Sequence, residues 1–386
     1  MFKNSSSIIF TSTAIGHMLV HSITLIYPAI MIVIKNEFQV SLVVLGQLGT
    51  IQFLLFGLAA FPAGYLVDKI GSKNVLGIYF IGISLSVVII SLAKTLIVIA
   101  IGLGTLGMFA GLYHPAGLNL ISNSTNVSRY MGYHGISGSV GLTLGPLIGG
   151  SIAGFTDWRF AFILLGCISL LGAIFVFKYL PADRPQKSAE ILKNGPIIEP
   201  VHIVIFAVSA LWGFAHHGIF NFMPIYFSES VILNLDPVTS GGLLTAFVLL
   251  IGTFGQIIGG RLGEKIPRQK LLIWVIALNI PFMLIMGISS GLILIIAAGF
   301  LGAVNFTYQP VNNSLIADMT IKRNRGLVYG ISSGLGFGVG SFSMMAGGYI
   351  GEYFSIQYIF PLLTIVLIPA VFLSLWIYNK KIQTNT

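Results

Sequence analysis

The sequence predicts an all-α integral membrane protein with twelve transmembrane helices in two pseudo-symmetric six-helix bundles, and three observations carry that prediction. Hydrophobic residues fill 55% of the 386 positions and charged residues only 8%, a balance that burial inside a soluble domain cannot absorb. Apolar windows of about 18 residues or more, long enough to cross a bilayer, separate nearly every pair of charge clusters. The stretch Gly64-Tyr65-Leu66-Val67-Asp68-Lys69-Ile70-Gly71-Ser72-Lys73 recurs as Gly260-Arg261-Leu262-Gly263-Glu264-Lys265-Ile266-Pro267-Arg268, with Asp68 and Glu264 standing 196 positions apart. A chain that carries the same charged turn twice reads as a duplication.

The spans fall at about 8–34, 42–67, 75–92, 95–121, 130–153, 160–178, 201–227, 239–261, 271–288, 291–316, 326–350 and 356–378. The uncharged run from Leu271 to Ala317 is too long for one crossing and divides at Ser289-Ser290-Gly291. Residues 1–180 form the first bundle, 181–200 a cytoplasmic linker rich in proline, lysine and glutamate, and 201–386 the second bundle.

Positive charge stays on the cytoplasmic side of a membrane. With both termini inside, 17 of the 20 basic residues are cytoplasmic, and only Lys35, Lys94 and Arg159 lie outside. The net charge of +9 is thus a topology signal and not a nucleic-acid footprint. Lys3 before an apolar run resembles a signal peptide, but eleven further spans make the first helix a retained anchor in an inner or plasma membrane. The single cysteine, Cys167, cannot form an internal disulfide and is expected as packed apolar filler. Trp158-Arg159 is expected as an interfacial anchor.

Along the chain, the first helix carries His17 and His21 four apart, hence on one face. The fourth ends in Gly107, Gly111, Tyr113, His114-Pro115 and Asn119, a kink beside polar groups. The fifth carries Gly132, Gly141, Gly145-Pro146 and Gly149-Gly150, a smooth face for close helix packing with a bend at Pro146. The second half retraces the first. A 196-residue shift brings Pro28 onto Pro224 and His21 onto His217, and a 195-residue shift brings His114-Pro115 onto Gln309-Pro310 and Gly135-Ile136-Ser137 onto Gly330-Ile331-Ser332.

These residues resemble the major facilitator superfamily of secondary transporters over all twelve spans. Gly64 to Lys73 is similar to its signature in the loop between helices two and three, and Gly132, Gly141, Gly145-Pro146 and Gly149-Gly150 match its antiporter signature at every fixed position. Gly16-His17 and Tyr113-His114-Pro115 are similar to the fosmidomycin-resistance branch. That branch usually has an acid where His21 stands, and many proton-coupled drug exporters have an arginine where Leu103 stands. The resemblance implies alternating access about a site near the midplane, lined in part by the first and seventh helices. It also implies contact between the loop acid and the start of helix eleven, here Asn324 to Gly326. Asp68, Lys69, Gly71, Lys73, Arg129 and Glu264 then make up a cytoplasmic gate, with Gly71 answered by a stiffer Pro267.

No Asp, Glu, Lys or Arg lies deep in these spans, where each costs a few kcal/mol unless paired or hydrated. The titratable candidates are therefore histidines, whose reference pKa lies near 6.5. His17, His21, His114, His216 and His217 are candidates for proton coupling or substrate binding. His21 and His217 lead as the repeat-matched pair, and His134, about one turn inside, is expected at a gate or interface. The bland reading of each is a neutral ring bonded between helices. Asn221, Asn279, Asn305, Tyr308, Asn312, Gln52 and Gln256 are expected as helix-to-helix hydrogen bonds of about 0.6 kcal/mol, while Gln309 and Asn313, beside Pro310, join the candidate site. The first functional reading is export of a small organic molecule by proton exchange, without cofactor or enzymatic chemistry. The second is uptake or facilitated diffusion of a small organic anion, permitted by the missing acid and arginine. A third takes His17, His21, His114, His216 and His217 as metal ligands of a carrier or an intramembrane metalloenzyme. No carboxylate or second cysteine accompanies them.

Overall fold

A computed structural model describes residues 5–122, 127–182, 198–231, 233–321 and 325–380. Among them there is no strand, and twelve helical spans follow in order. The first, α1, is broken into Ser5–Thr24, Ile26–Ala29 and Met31–Phe38. Then come α2 (Leu42–Ile70), α3 (Ser72–Ser91), α4 in two pieces (Leu96–Ala110 and Tyr113–Ser122), α5 (Val127–Phe155) and α6 (Arg159–Tyr179). The second half has α7 (Pro200–Ser230), α8 (Pro237–Lys265), α9 (Arg268–Ile288), α10 (Gly291–Met319), α11 (Arg325–Tyr353) and α12 (Ile359–Asn379). Eleven of these are long and apolar enough to cross a membrane. The twelfth, α11, falls short in mean hydropathy because glycine and serine fill much of it, and those small residues serve its packing.

Local chemistry sets the ends. Ser41 and Thr95 accept hydrogen bonds from the N–H groups of Val44 and Val98 at the starts of α2 and α4. Asp236 caps α8, with Pro237 supplying the fixed φ of the first helical position. Gly71 closes α2 at φ 82°, ψ 153°, a backbone that a side chain would strain. Asp68 and Lys69 therefore belong to the last turn of α2 and Lys73 to the first turn of α3. The expected charged hinge narrows to the single residue Gly71.

The packing order of the first half returns in the second. Helix α1 lies on α5, α2 and α3 lie on α4, and α3 lies on α6. Correspondingly α7 lies on α11, α8 and α9 lie on α10, and α9 lies on α12. The halves meet mainly through α2 against α11 and α5 against α8. Small residues make these contacts close: a Cβ at Gly57 would meet the backbone of Gly338 at 2.8 Å, and one at Gly150 would meet Gly242 Cα at the same distance. Gly141, Gly145 and Gly149 face α1 backbone or Cβ atoms, so the helix-five glycines serve two interfaces at once.

Two residues stand elsewhere than expected. Cys167 is exposed on the outer side of α6, among exposed Leu164 and Leu171, where lipid and not protein surrounds it. Trp158 is only 2% exposed. Its indole N–H donates to Glu37 at 2.6 Å, and Arg159 pairs with the same carboxylate at 2.6 Å while donating to the Ala93 carbonyl at 2.9 Å. The pair is a clamp that ties three connections together, not an interfacial anchor.

Candidate functional site

In the first half, α1, α4 and α5 bring four imidazoles together. A side chain at Gly16 would collide with the Tyr113 ring and one at Gly138 with the His17 ring, so two glycines make room for the cluster. The rings of His17 and His134 stack at 3.8 Å and 11°, Tyr113 lies nearly parallel at 5.5 Å from His17, and His114 stands edge-on at 5.2 Å. His134, expected at a gate, is thus part of the cluster. The wide spacing of helix-five glycines hid this, because Gly138 between them is what admits the ring.

The hydrogen bonds have a forced direction. The His134 carbonyl can only accept, so His17 donates from Nδ1 at 2.6 Å. In the neutral ring His17 Nε2 then accepts, and His21 donates to it from Nε2 at 3.1 Å. Tyr113 Oη donates to the Thr13 carbonyl at 2.5 Å and lies 3.4 Å from His134 Nδ1. His17 and His134 are nearly fully buried, whereas His21 and His114 are half-buried.

Ligand atoms of His17, His114 and His134 lie within 4.8 Å of one another. A metal ion lies in the plane of each imidazole that holds it. The stacked, nearly parallel planes of His17 and His134 do not converge on one point, and Nδ1 of His17 is already engaged. The donor set does not fit a resident ion.

In the second half the adjacent histidines part ways. His217 packs into an aromatic collar, 5.2 Å from the Phe53 ring of α2 and 5.1 Å from Phe337 of α11. His216 is half-buried and bonds through Nδ1 to Asn305 Oδ1 at 2.7 Å. Asn305 donates to Asn279 at 3.0 Å, and Asn279 donates to the Val275 carbonyl at 2.6 Å. Of the repeat-matched His217 and its neighbour, it is His216 that carries the hydrogen-bonded amide chain, while His217 is ringed by aromatics. Beside them Trp212 stacks on Tyr308 at 4.2 Å, and Ser209 bonds Ser332 at 2.7 Å. Gln309 accepts from Gln256 at 3.2 Å, and Gln256 accepts from Ser139 of α5 at 3.0 Å, a polar bridge between bundles. Asn313 is exposed, and its carbonyl accepts from Tyr329 at 2.8 Å.

The bundles meet closely at one end. At the closed end Glu352 of α11 accepts from the Leu42 N–H at the start of α2 at 2.7 Å, and Thr50 donates to the Ser341 carbonyl at 3.0 Å. A carboxylate on the positive end of a helix is favourable. At the other end, a Cβ added at Gly64, Gly132, Gly260, Gly263, Gly326 or Gly330 would meet open space among the described residues. Asp68 and Glu264 stand at this other end, in the last turns of α2 and α8. The Arg129 side chain and Asn324 lie outside the described residues. Sequence reasoning missed Glu352, since its partner is 310 positions away.

The Major Facilitator Superfamily model matches residues 13–252 and 230–385. The fosmidomycin resistance protein of Escherichia coli is 25% identical, over 92% of this chain and 89% of its own. A probable sugar efflux transporter of Helicobacter acinonychis is 23% identical, over 65% of each chain. Among solved structures, a bacterial homolog of the human lysosomal transporter Spinster, in an inward-facing and occupied conformation, superposes with TM-score 0.83 at 14% identity, covering 97% of both chains. A D-xylose-proton symporter superposes with TM-score 0.80 at 15% identity, covering 96% of this chain and 97% of its own. Two repeated six-helix bundles around a midplane polar cluster, matched by that family model along nearly the whole chain, make this a secondary transporter of the major facilitator superfamily and not an enzyme.

Proposed function

We propose that the chain exports a small organic molecule with polar and apolar parts in exchange for protons, by alternating access. The observation that carries this reading is a half-buried, hydrogen-bonded imidazole on each bundle, His21 near the middle of α1 and His216 near the middle of α7, with the bundles joined at one end through Glu352 and Thr50. An imidazole changes charge near physiological pH. A proton held there by one bundle alters its attraction for the other and for cargo.

Residues 1–180 and 201–386 then act as the rocking units, joined by a cytoplasmic linker over 181–200, with both termini in the cytoplasm of an inner or plasma membrane. Lysine and arginine placement supports that orientation, under which the Glu352–Leu42 closure lies on the outer side. His17, His114 and His134 hold His21. His217 serves as a hydrophobic collar member, and Gln256, bonded to Gln309, reaches Ser139 of the first bundle. In the opposite state Asp68, Lys69, Gly71, Lys73, Arg129 and Glu264 close the cytoplasmic end, with Asp68 meeting the start of α11. That latch sets exchange rate more than substrate choice. Asp68→Asn should slow turnover with selectivity intact.

The anion-uptake reading draws on one observation: among the described residues, no carboxylate is a hydrogen-bond partner of the site histidines. Proteoliposomes with an imposed pH gradient separate the two. Exchange predicts substrate accumulation against its gradient when the trans side is acidic. Equilibration that ignores the pH gradient sinks coupling.

A further inference from the structure

Two hydrogen-bond relays end on half-buried imidazoles, one in each bundle, and each is anchored on a backbone carbonyl that can only accept. In the first, His17 Nδ1–H is spent on the His134 carbonyl at 2.6 Å and His21 Nε2–H on His17 Nε2 at 3.1 Å, which leaves His21 Nδ1 as a lone pair. In the second, Asn279 is spent on the Val275 carbonyl at 2.6 Å, so its Oδ1 receives Asn305 Nδ2–H at 3.0 Å. Asn305 Oδ1 must then accept from His216 Nδ1–H at 2.7 Å, which leaves His216 Nε2 as a lone pair. Asn279 is fully buried and Asn305 nearly so, so neither amide can flip without orphaning a polar group at a cost of about 1–3 kcal/mol.

The geometry points to two hydrogen-bond acceptors, His21 Nδ1 on the first bundle and His216 Nε2 on the second, that take a neutral or cationic cargo through its O–H or N–H groups. Asn279 and Asn305 are positioning residues that set the tautomer of His216. The inference rests on the exchange reading and deepens it. A proton arriving at either nitrogen removes the lone pair that the cargo uses, so proton and cargo compete, which is the linkage exchange requires. A carboxylate or phosphonate group offers only acceptors and gains nothing from the neutral nitrogens. Around His21 stand the rings of His17 at 4.8 Å and His114 at 5.4 Å; around His216 stand His217, Asn305, Phe220 and Phe306. No acid among them supplies a competing acceptor.

The test uses full-length protein in lipid nanodiscs with ¹⁵N-labelled histidine, His21 and His216 being assigned from His21→Gln and His216→Gln difference spectra. At alkaline pH the expected result is a protonated Nδ1 on His216 and a protonated Nε2 on His21, with Asn279→Leu releasing His216 into mixed tautomers. A His216 proton found on Nε2 in the wild type overturns the relay. In parallel, thermal stability is read with a hexitol, a hexosamine and a hexonate at about pH 8 and about pH 5, either side of the imidazole reference value of about 6.5. Stabilisation by the hexitol or hexosamine at the higher pH, lost at the lower, is expected. A hexonate that stabilises more strongly as pH falls, or no response to either donor compound, overturns the cargo class. Correct tautomers without gradient-driven transport defeat the exchange reading alone, and gradient-driven transport with the wrong tautomers defeats this one alone.

Discussion

Replacing Glu352 with glutamine removes one charge from the closed end and leaves an acceptor of nearly the same shape. In the wild type the carboxylate receives the Leu42 N–H at 2.7 Å, one of the orphan donors at the start of α2, and does so across the two bundles. A hydrogen bond to a charged group contributes about 1.5–3 kcal/mol, and a carboxylate at an exposed helix start about 0.3–1 kcal/mol. Glu352 is exposed, so solvent screening brings its share to the lower range, and glutamine keeps the neutral part of the bond. The net loss is about 1 kcal/mol, felt only in the state in which this end is closed. A ligand or bond that favours one state shifts the populations by its differential energy, here about fivefold. Spin or dye labels at Gln39→Cys and Phe354→Cys, both exposed near this contact, report the separation once Cys167 is replaced. The expected result is a roughly fivefold rise in the separated population for Glu352→Gln, larger for Glu352→Ala. An unchanged distance distribution in both variants refutes the latch, since the bond would then be present equally in both states or in neither.

Gly242→Leu should drive the same label pair apart, because a side chain there meets the Pro146 carbonyl and Gly150 Cα with no room to yield, and overpacking of this kind costs about 1–3 kcal/mol. A variant with wild-type separation would show that α5 and α8 slide freely. Tyr113→Phe should lower thermal stability by about 1 kcal/mol through loss of the 2.5 Å bond to Thr13, and should free His134 Nδ1, visible as a changed histidine ¹⁵N signal. Cys167→Ala should stay within about 0.5 kcal/mol of wild type. The native thiol should react with a membrane-soluble maleimide and resist a charged one, as its exposed place on α6 demands.

The spans were legible because a bilayer imposes one demand on every helix, a run of about 20 apolar residues, and the runs stand out whatever packs against them. The helix ends moved by a few residues, since helices such as α2 and α8 continue past the apolar slab as far as Gly71 and Lys265. What a single helix face shows was legible too, as with His17 and His21. What depends on the phase of two helices was not. His134 counts as shallow along its own helix, yet glycine at 138 lets α5 come close enough to α1 for the rings to stack. Neighbours His216 and His217 could not be told apart until α10 supplied Asn305 to one and α11 supplied Phe337 to the other. Glu352 carried no local sign of its partner, and Trp158 looked like a lipid anchor because Glu37 lies far from it in sequence. The duplication aligned His21 with His217 by number, while the amide chain through Asn305 begins one residue earlier, at His216.

The central claim is that His21 and His216 together exchange a proton for cargo. Its most direct measurement is the internal pH of proteoliposomes, followed with a trapped dye while a compound that stabilises the protein is driven down its own gradient. Wild-type protein should move protons in the opposite direction, and His21→Gln and His216→Gln should each carry the compound without proton movement or not at all. Proton movement of wild-type size in both variants, or cargo flux in the wild type with no pH change, would contradict the account.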